Sequence, residues 1–142
     1  MFIKLTNGVP ETYTIGQLRK DNPNVSFPKD ILLETLASYN VYPLTVADRP
    51  SYNRLTEDAV LNTPTEVNGA WIQSYSIVQK LEEDAAKNIR RERNDLLSES
   101  DWTQVADSPV NKAVWATYRQ ELRDITTQEG FPFNVTFPTK PE

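Results

Sequence analysis

The apolar residues change period near residue 79, and that change limits the chain to an α+β organisation. Before it, strand-like runs alternate with period two; after it, apolar residues recur every three to four positions. Phe2 to Leu5 reads as a strand, and Asn7-Gly8 supplies both positive-φ positions of a type I′ turn. Val9 to Tyr13 is predicted to return beside it, confined to a sheet edge by Pro10. Thr14 and Gln17 stand at capping-box spacing, which predicts a short helix stopped by Asn22-Pro23. A second helix is predicted to start at Pro28, to carry Ile31, Leu32, Leu33 and Leu36, and to end at a left-handed Asn40. Val41 to Val46 reads as a strand interrupted by Pro43. Val67-Asn68-Gly69-Ala70 signals a second hairpin, with a return strand from Trp71 to Val78. Its alternation puts Trp71, Gln73, Tyr75 and Ile77 on one face. Residues 1–79 thus predict a small antiparallel sheet domain with short helices.

Residues 80–130 predict an antiparallel two-helix hairpin. The first helix has Leu81, Ala85, Ile89 and Leu96 on one stripe and ends near Ser98–Ser100. Its acids, Glu82, Glu83 and Asp84, lie at the start, and Arg90, Arg91 and Arg93 nearer the end, an order that complements the helix dipole. Asp101 and Gln104 repeat the cap-plus-three spacing, so Asp101 is expected to cap a short turn around Trp102. Ser108-Pro109 predicts the next helix start. Its stripe is Val110, Val114, Tyr118, Leu122 and Ile125, with Trp115 beside it and Gly130 at its end. Residues 131–142 predict an extended arm that presents Phe133, Val135 and Phe137 on one side. Such an arm either lies on its own fold or adds to the edge of another chain.

Composition removes several chemistries. The chain has no histidine and no cysteine, which excludes a thiol nucleophile, a Cys/His metal site and an imidazole proton shuttle. The glycines are isolated, so no phosphate-cradling loop is present. The net charge of −5 argues against a duplex nucleic-acid partner. The basic run Arg90, Arg91 and Arg93, with Arg119 and Arg123, is interleaved with Glu92, Asp95, Glu121 and Asp124, which predicts ion pairs between the helices. No segment approaches the roughly 20 apolar residues that span a bilayer, and the N-terminus lacks a basic region followed by an apolar stretch. The reading is a cytoplasmic chain without a leader, a metal or a cofactor. Asp101 is the best single carboxylate candidate for acid–base work, although a cap is its simpler role. The aromatics Trp102, Trp115 and Tyr118 either form core or supply a hot spot for a partner.

The second half resembles a known family. The run Arg91-Glu92-Arg93-Asn94-Asp95-Leu96-Leu97, then Ser100-Asp101-Trp102-Thr103-Gln104 and Asp107-Ser108-Pro109, is similar to a signature of bacteriophage tail assembly chaperone-like proteins. It continues through Trp115-Ala116-Thr117-Tyr118-Arg119-Gln120-Glu121-Leu122-Arg123-Asp124-Ile125 and closes with Gly130-Phe131-Pro132 and Phe137-Pro138. The resemblance covers about residues 88–141. Phe137-Pro138 stands where many relatives carry Trp-Pro. The Thr14-Ile15-Gly16 and Asp21-Asn22-Pro23 stretches look like the N-terminal part that accompanies this signature.

The resemblance implies a non-enzymatic role in tail morphogenesis, with tail-fibre or baseplate proteins as partners and homo-oligomerisation left open. It implies action in the host cytoplasm and is compatible both with departure after assembly and with retention in the virion tail. No catalytic residue is carried over. The partner surface expected on this reading combines Trp102, Trp115, Tyr118, Arg119 and Arg123 with Phe133, Val135 and Phe137 of the arm. The alternatives are a glycan-degrading tail enzyme that uses carboxylates alone and a small nucleic-acid-associated protein.

Overall fold

The computed structural model describes all 142 residues. The chain divides into two compact units: Met1–Ser51 with Ala59–Ile77, and Tyr52–Asp58 with Val78–Glu142. Seven strands precede the long helices: β1 (Phe2–Thr6), β2 (Val9–Tyr13), β3 (Val41–Val46), β4 (Glu57–Leu61), β5 (Thr65–Val67), β6 (Ala70–Gln73) and β7 (Tyr75–Gln79). The helices are α1 (Ile15–Asp21), α2 (Leu33–Ser38), α3 (Glu82–Glu99) and α4 (Lys112–Asp124). The α+β class therefore holds.

In the first unit the local signals act as read. Asn7 and Gly8 adopt φ of 53° and 80°, Asn68 and Gly69 φ of 51° and 79°, and both pairs close hairpins. Thr14 and Gln17 form the full capping box of α1. Asn40 ends the α2 region at φ 57°. Tyr13, Leu18, Leu36 and Val41 make the core, with Phe2, Ile15, Phe27, Ile31 and Tyr39 packed against it.

The sheet itself is mixed, which corrects the antiparallel expectation. Its order is β2-β1-β3-β6-β5, and β3 runs parallel to β6. Pro43 explains how a proline sits in an inner strand. β3 pairs with β1 through Val41, Tyr42 and Pro43, then with β6 through Leu44, Thr45 and Val46. On the β1 side Pro43 lies one residue before Leu44, whose N–H donates to the Met1 carbonyl at 2.9 Å, and the β6 pairing begins only at Leu44, so the missing N–H of Pro43 breaks neither ladder. The Trp71–Val78 strand is likewise two strands in two sheets. The Gln73 carbonyl accepts from Ala47 N–H at 2.9 Å, whereas the Ser74 carbonyl accepts from Asn62 N–H at 2.9 Å. The chain changes partners between those two residues, and β7 pairs with β4, a strand that the periodicity did not predict. The second helix starts at Leu33 rather than Pro28. The Pro28 carbonyl, which a helix begun there would aim at Leu32 N–H, accepts from Arg19 Nη2 at 2.9 Å instead.

In the second unit, α3 buries Ala85, Ala86 and Ile89, while Leu81 precedes the helix and lies 76 % exposed, off the expected stripe. The segment 52–58 is tied to α3 through Asn88 Nδ2, which donates to the Leu55 carbonyl at 3.0 Å. A 3₁₀ turn, Asp101–Gln104, follows as expected. α4 begins three residues later than Ser108-Pro109 predicts, because Asn111 provides the cap: its Oδ1 accepts from Ala113 N–H at 3.2 Å and Val114 N–H at 3.4 Å. The Ser108 hydroxyl is buried without a partner. The buried apolar stripe of α4 is Trp115, Tyr118 and Leu122, and Val114 is left exposed. α4 passes into a 3₁₀ turn, Ile125–Thr127, before Gly130 is reached. Gly130 is required for a different reason, since a Cβ there would lie 2.2 Å from the Asn134 carbonyl oxygen.

The arm departs most from expectation. It forms no strand; residues 131–134 turn. Gln128 then holds Thr136 at two points, with Nε2 donating to its carbonyl at 2.9 Å and Oε1 accepting from its N–H at 2.8 Å. Phe137 packs against the Trp115–Tyr118–Leu122 cluster.

Candidate protein-contact site

The end of α3 leaves backbone carbonyls without helical partners. Arg119, from the middle of α4, answers them. Its Nη1 donates to the Leu97 carbonyl at 2.5 Å and to Ser100 Oγ at 2.7 Å, and its Nη2 donates to Asp101 Oδ1 at 2.6 Å. Arg119 is 8 % exposed, so the guanidinium is buried and its charge is met by hydrogen bonds and one carboxylate. A planar fork serves all three acceptors at once, which a lysine ammonium does less well. Ser100 and Thr103 complete the node: the Ser100 hydroxyl lies 2.8 Å from the Leu96 carbonyl, and Thr103 Oγ1 donates to the Ser100 carbonyl at 2.6 Å.

This geometry corrects two expectations. Asp101 does not cap the turn; it is the ion partner of Arg119. Nor do the interleaved acids pair between helices. Glu92, Asp95, Glu121 and Asp124 make no ion pair with Arg90, Arg91, Arg93, Arg119 or Arg123. Arg90 instead sits over the Phe131 ring, 5.3 Å from its centroid.

The aromatic cluster stands beside the node. The Trp115 and Tyr118 rings meet edge to face, 5.7 Å apart at 88°, and Trp102 lies 6.1 Å from Trp115. Trp115 and Tyr118 are each 4 % exposed, packed with Leu96, Leu97, Val110 and Phe137. Burial, and then the charge of Glu99, pushes the Tyr118 phenol above its ordinary value, so it stays protonated. Trp102 differs, with 51 % of its surface exposed. Val105 and Val114 are exposed to a similar degree. Arg123 is exposed, and Phe133, Val135 and Phe137 are half-buried. The residues named from the sequence thus divide into a buried set (Trp115, Tyr118, Arg119), a half-buried arm and an exposed pair (Trp102, Arg123).

No helix is long and apolar enough to cross a membrane. No three His, Cys, Asp or Glu side chains converge as a metal site.

Residues 86–142 match the family of phage tail assembly chaperone proteins. The resemblance read over about residues 88–141 is confirmed by this match. No curated protein and no solved structure matches the chain. The tail assembly chaperone segment takes in α3 from Ala86 onward, the 3₁₀ turn, α4 and the arm. It therefore contains the whole Arg119 node and the whole aromatic cluster.

From the sequence Arg119 was expected either to fix the helix pair or to meet a partner; its acceptors, the Leu97 carbonyl, Ser100 Oγ and Asp101, were not named. A signal was present. Arg119 lies four residues after Trp115 and three before Leu122, on the buried stripe, where an arginine requires acceptors.

Proposed function

We propose that this chain works by protein–protein contact in phage tail morphogenesis, with a tail-fibre or baseplate protein as partner, and that it catalyses no reaction. The observation that carries this reading is Trp102. A tryptophan half open to solvent, backed by the buried Trp115 ring and set beside the Arg119 node, lies within the segment that matches tail assembly chaperones. Exposed rings fixed on a rigid base have the character of interface hot spots. On this reading Trp102 and Arg123 touch the partner, with Phe133, Val135 and Phe137 beside them, while Trp115, Tyr118 and Arg119 shape the surface from beneath. The contact is made in the host cytoplasm during assembly.

Co-purification with co-expressed tail-fibre and baseplate proteins tests the proposal. Trp102→Ala is expected to leave the melting temperature unchanged and to weaken capture by about thirtyfold, the effect of losing a hot spot of about 2 kcal/mol. Capture that is indifferent to this substitution overturns the assignment. Mass spectrometry of mature particles then separates a departing chaperone from a resident adaptor, since only the latter appears at fixed stoichiometry.

A further inference from the structure

The sheet unit carries a groove that the tail-assembly reading does not use. About 200 Å³ in volume, it is lined by Leu33, Tyr42, Pro43, Thr45, Ala70 and Trp71. The Tyr42 and Trp71 rings stand 6.3 Å apart and tilted by 38°, giving it two flat apolar walls. The Tyr42 hydroxyl and the Trp71 indole N–H make no hydrogen bond within the chain, so two donors are free at the groove. Flat aromatic walls with free donors suit a polyproline II segment. Pyrrolidine rings stack on the walls, and the carbonyls of that conformation have no partners of their own.

Charge narrows the ligand further. Glu66 stands directly opposite Trp71 in the β5–β6 pair, exposed and without an ion partner. A fitting segment therefore carries a positive charge beside its prolines. The chain contains one such segment, Pro138-Thr139-Lys140-Pro141, and these are its only two prolines spaced three apart. With three residues per turn, that spacing places both rings on one side of a polyproline helix. Lys140 is available: its side chain is 58 % exposed, and Glu99, 3.9 Å away, is 62 % exposed. Exchanging one such surface pair for another costs little.

We propose that the Tyr42–Trp71 groove of one copy takes the Pro138–Pro141 segment of a second copy, with Lys140 meeting Glu66. The contact joins two different surfaces, so it closes as a reciprocal two-fold dimer or propagates head to tail into rings or chains. It does not depend on the tail-assembly reading, which rests on the other unit.

Sedimentation of the full-length chain over a concentration series tests it, together with titration of a peptide of residues 136–142 followed at the Trp71 indole N–H resonance. Association is expected to rise with concentration, and the peptide to shift that resonance and reduce association. Lys140→Glu and Glu66→Lys each weaken association by roughly two- to fivefold, as expected for an exposed pair, and the doubly exchanged chain recovers it. Both positions are on the surface, so folding is not at stake. Trp71→Ala removes the association. A chain that stays monomeric throughout overturns the proposal, even if the peptide binds. So does association that ignores Trp71→Ala, or a double exchange that recovers nothing.

Discussion

The two units are held by opposite kinds of polar contact. In the sheet unit the side-chain bonds around α1 are short in range: Thr14 caps through Gln17 three residues on, and Tyr13 donates to Asp21 eight residues on. In the helical unit one arginine reaches partners 18 to 22 residues away and joins the end of α3, the 3₁₀ turn and α4. Local bonds can be lost singly, with small independent effects. A shared buried node couples the segments it joins, so damage there spreads.

Substitutions separate the two kinds of contact. The largest effect is expected for Trp115→Ala, about 3–5 kcal/mol, because a ring buried among Tyr118, Leu96, Leu97 and Phe137 leaves a cavity. Thermal melting measures it, and an unchanged melting temperature would remove Trp115 from the core. Arg119→Ala is expected next, at about 2–3 kcal/mol, since it removes the hydrogen bonds that a buried guanidinium makes to the Leu97 carbonyl and to Ser100 Oγ. Hydrogen exchange should then rise together in α3, the 3₁₀ turn and α4. Exchange confined to α4 would show the node to be no more than a local bond.

Tyr13 provides the matching case in the sheet unit. Its hydroxyl donates to Asp21 Oδ2 at 2.5 Å, Lys4 sits 4.9 Å over its ring, and burial, followed by the bond and charge of Asp21, pushes the phenol up to about 12 from an ordinary value of 10. The folded state therefore holds a proton that the unfolded state has released between those values. The stabilisation is complete below pH 10 and is lost as pH rises through about 12. Tyr13→Phe should cost about 1–2 kcal/mol at neutral pH and flatten the alkaline loss in denaturant melts. The smallest effects are expected at the caps. Thr14→Ala and Asn111→Ala should each cost about 1 kcal/mol, with the first raising exchange in α1 alone and the second in the first turn of α4 alone.

What could be read from residues alone follows the same division. Asn7-Gly8, Asn68-Gly69, the Thr14–Gln17 box and the apolar stripe of α3 were legible because each is decided within a few residues, by allowed φ or by a side chain reaching its own backbone. The tail-assembly segment was legible too, as a pattern of residue types. The start of α4 was less so. Ser108-Pro109 and Asn111 are both acceptable caps by residue type, and the structure uses Asn111.

Residue types alone placed the Asn7-Gly8 and Asn68-Gly69 turns, the cap of α1 and the two long helices, and showed that no thiol or imidazole is present to act, while β4 and the turn at 131–134 went unread. Only the tertiary structure decided that β3 runs parallel to β6, that the run after Trp71 divides at Ser74, that Arg119 is buried on the end of α3, and that the arm folds back through Gln128 and Phe137. Each of these depends on which distant donor or acceptor is left unpaired once the local bonds have formed. An arginine on an apolar stripe says that acceptors are needed, but which residues tens of positions away supply them is not written in a local pattern.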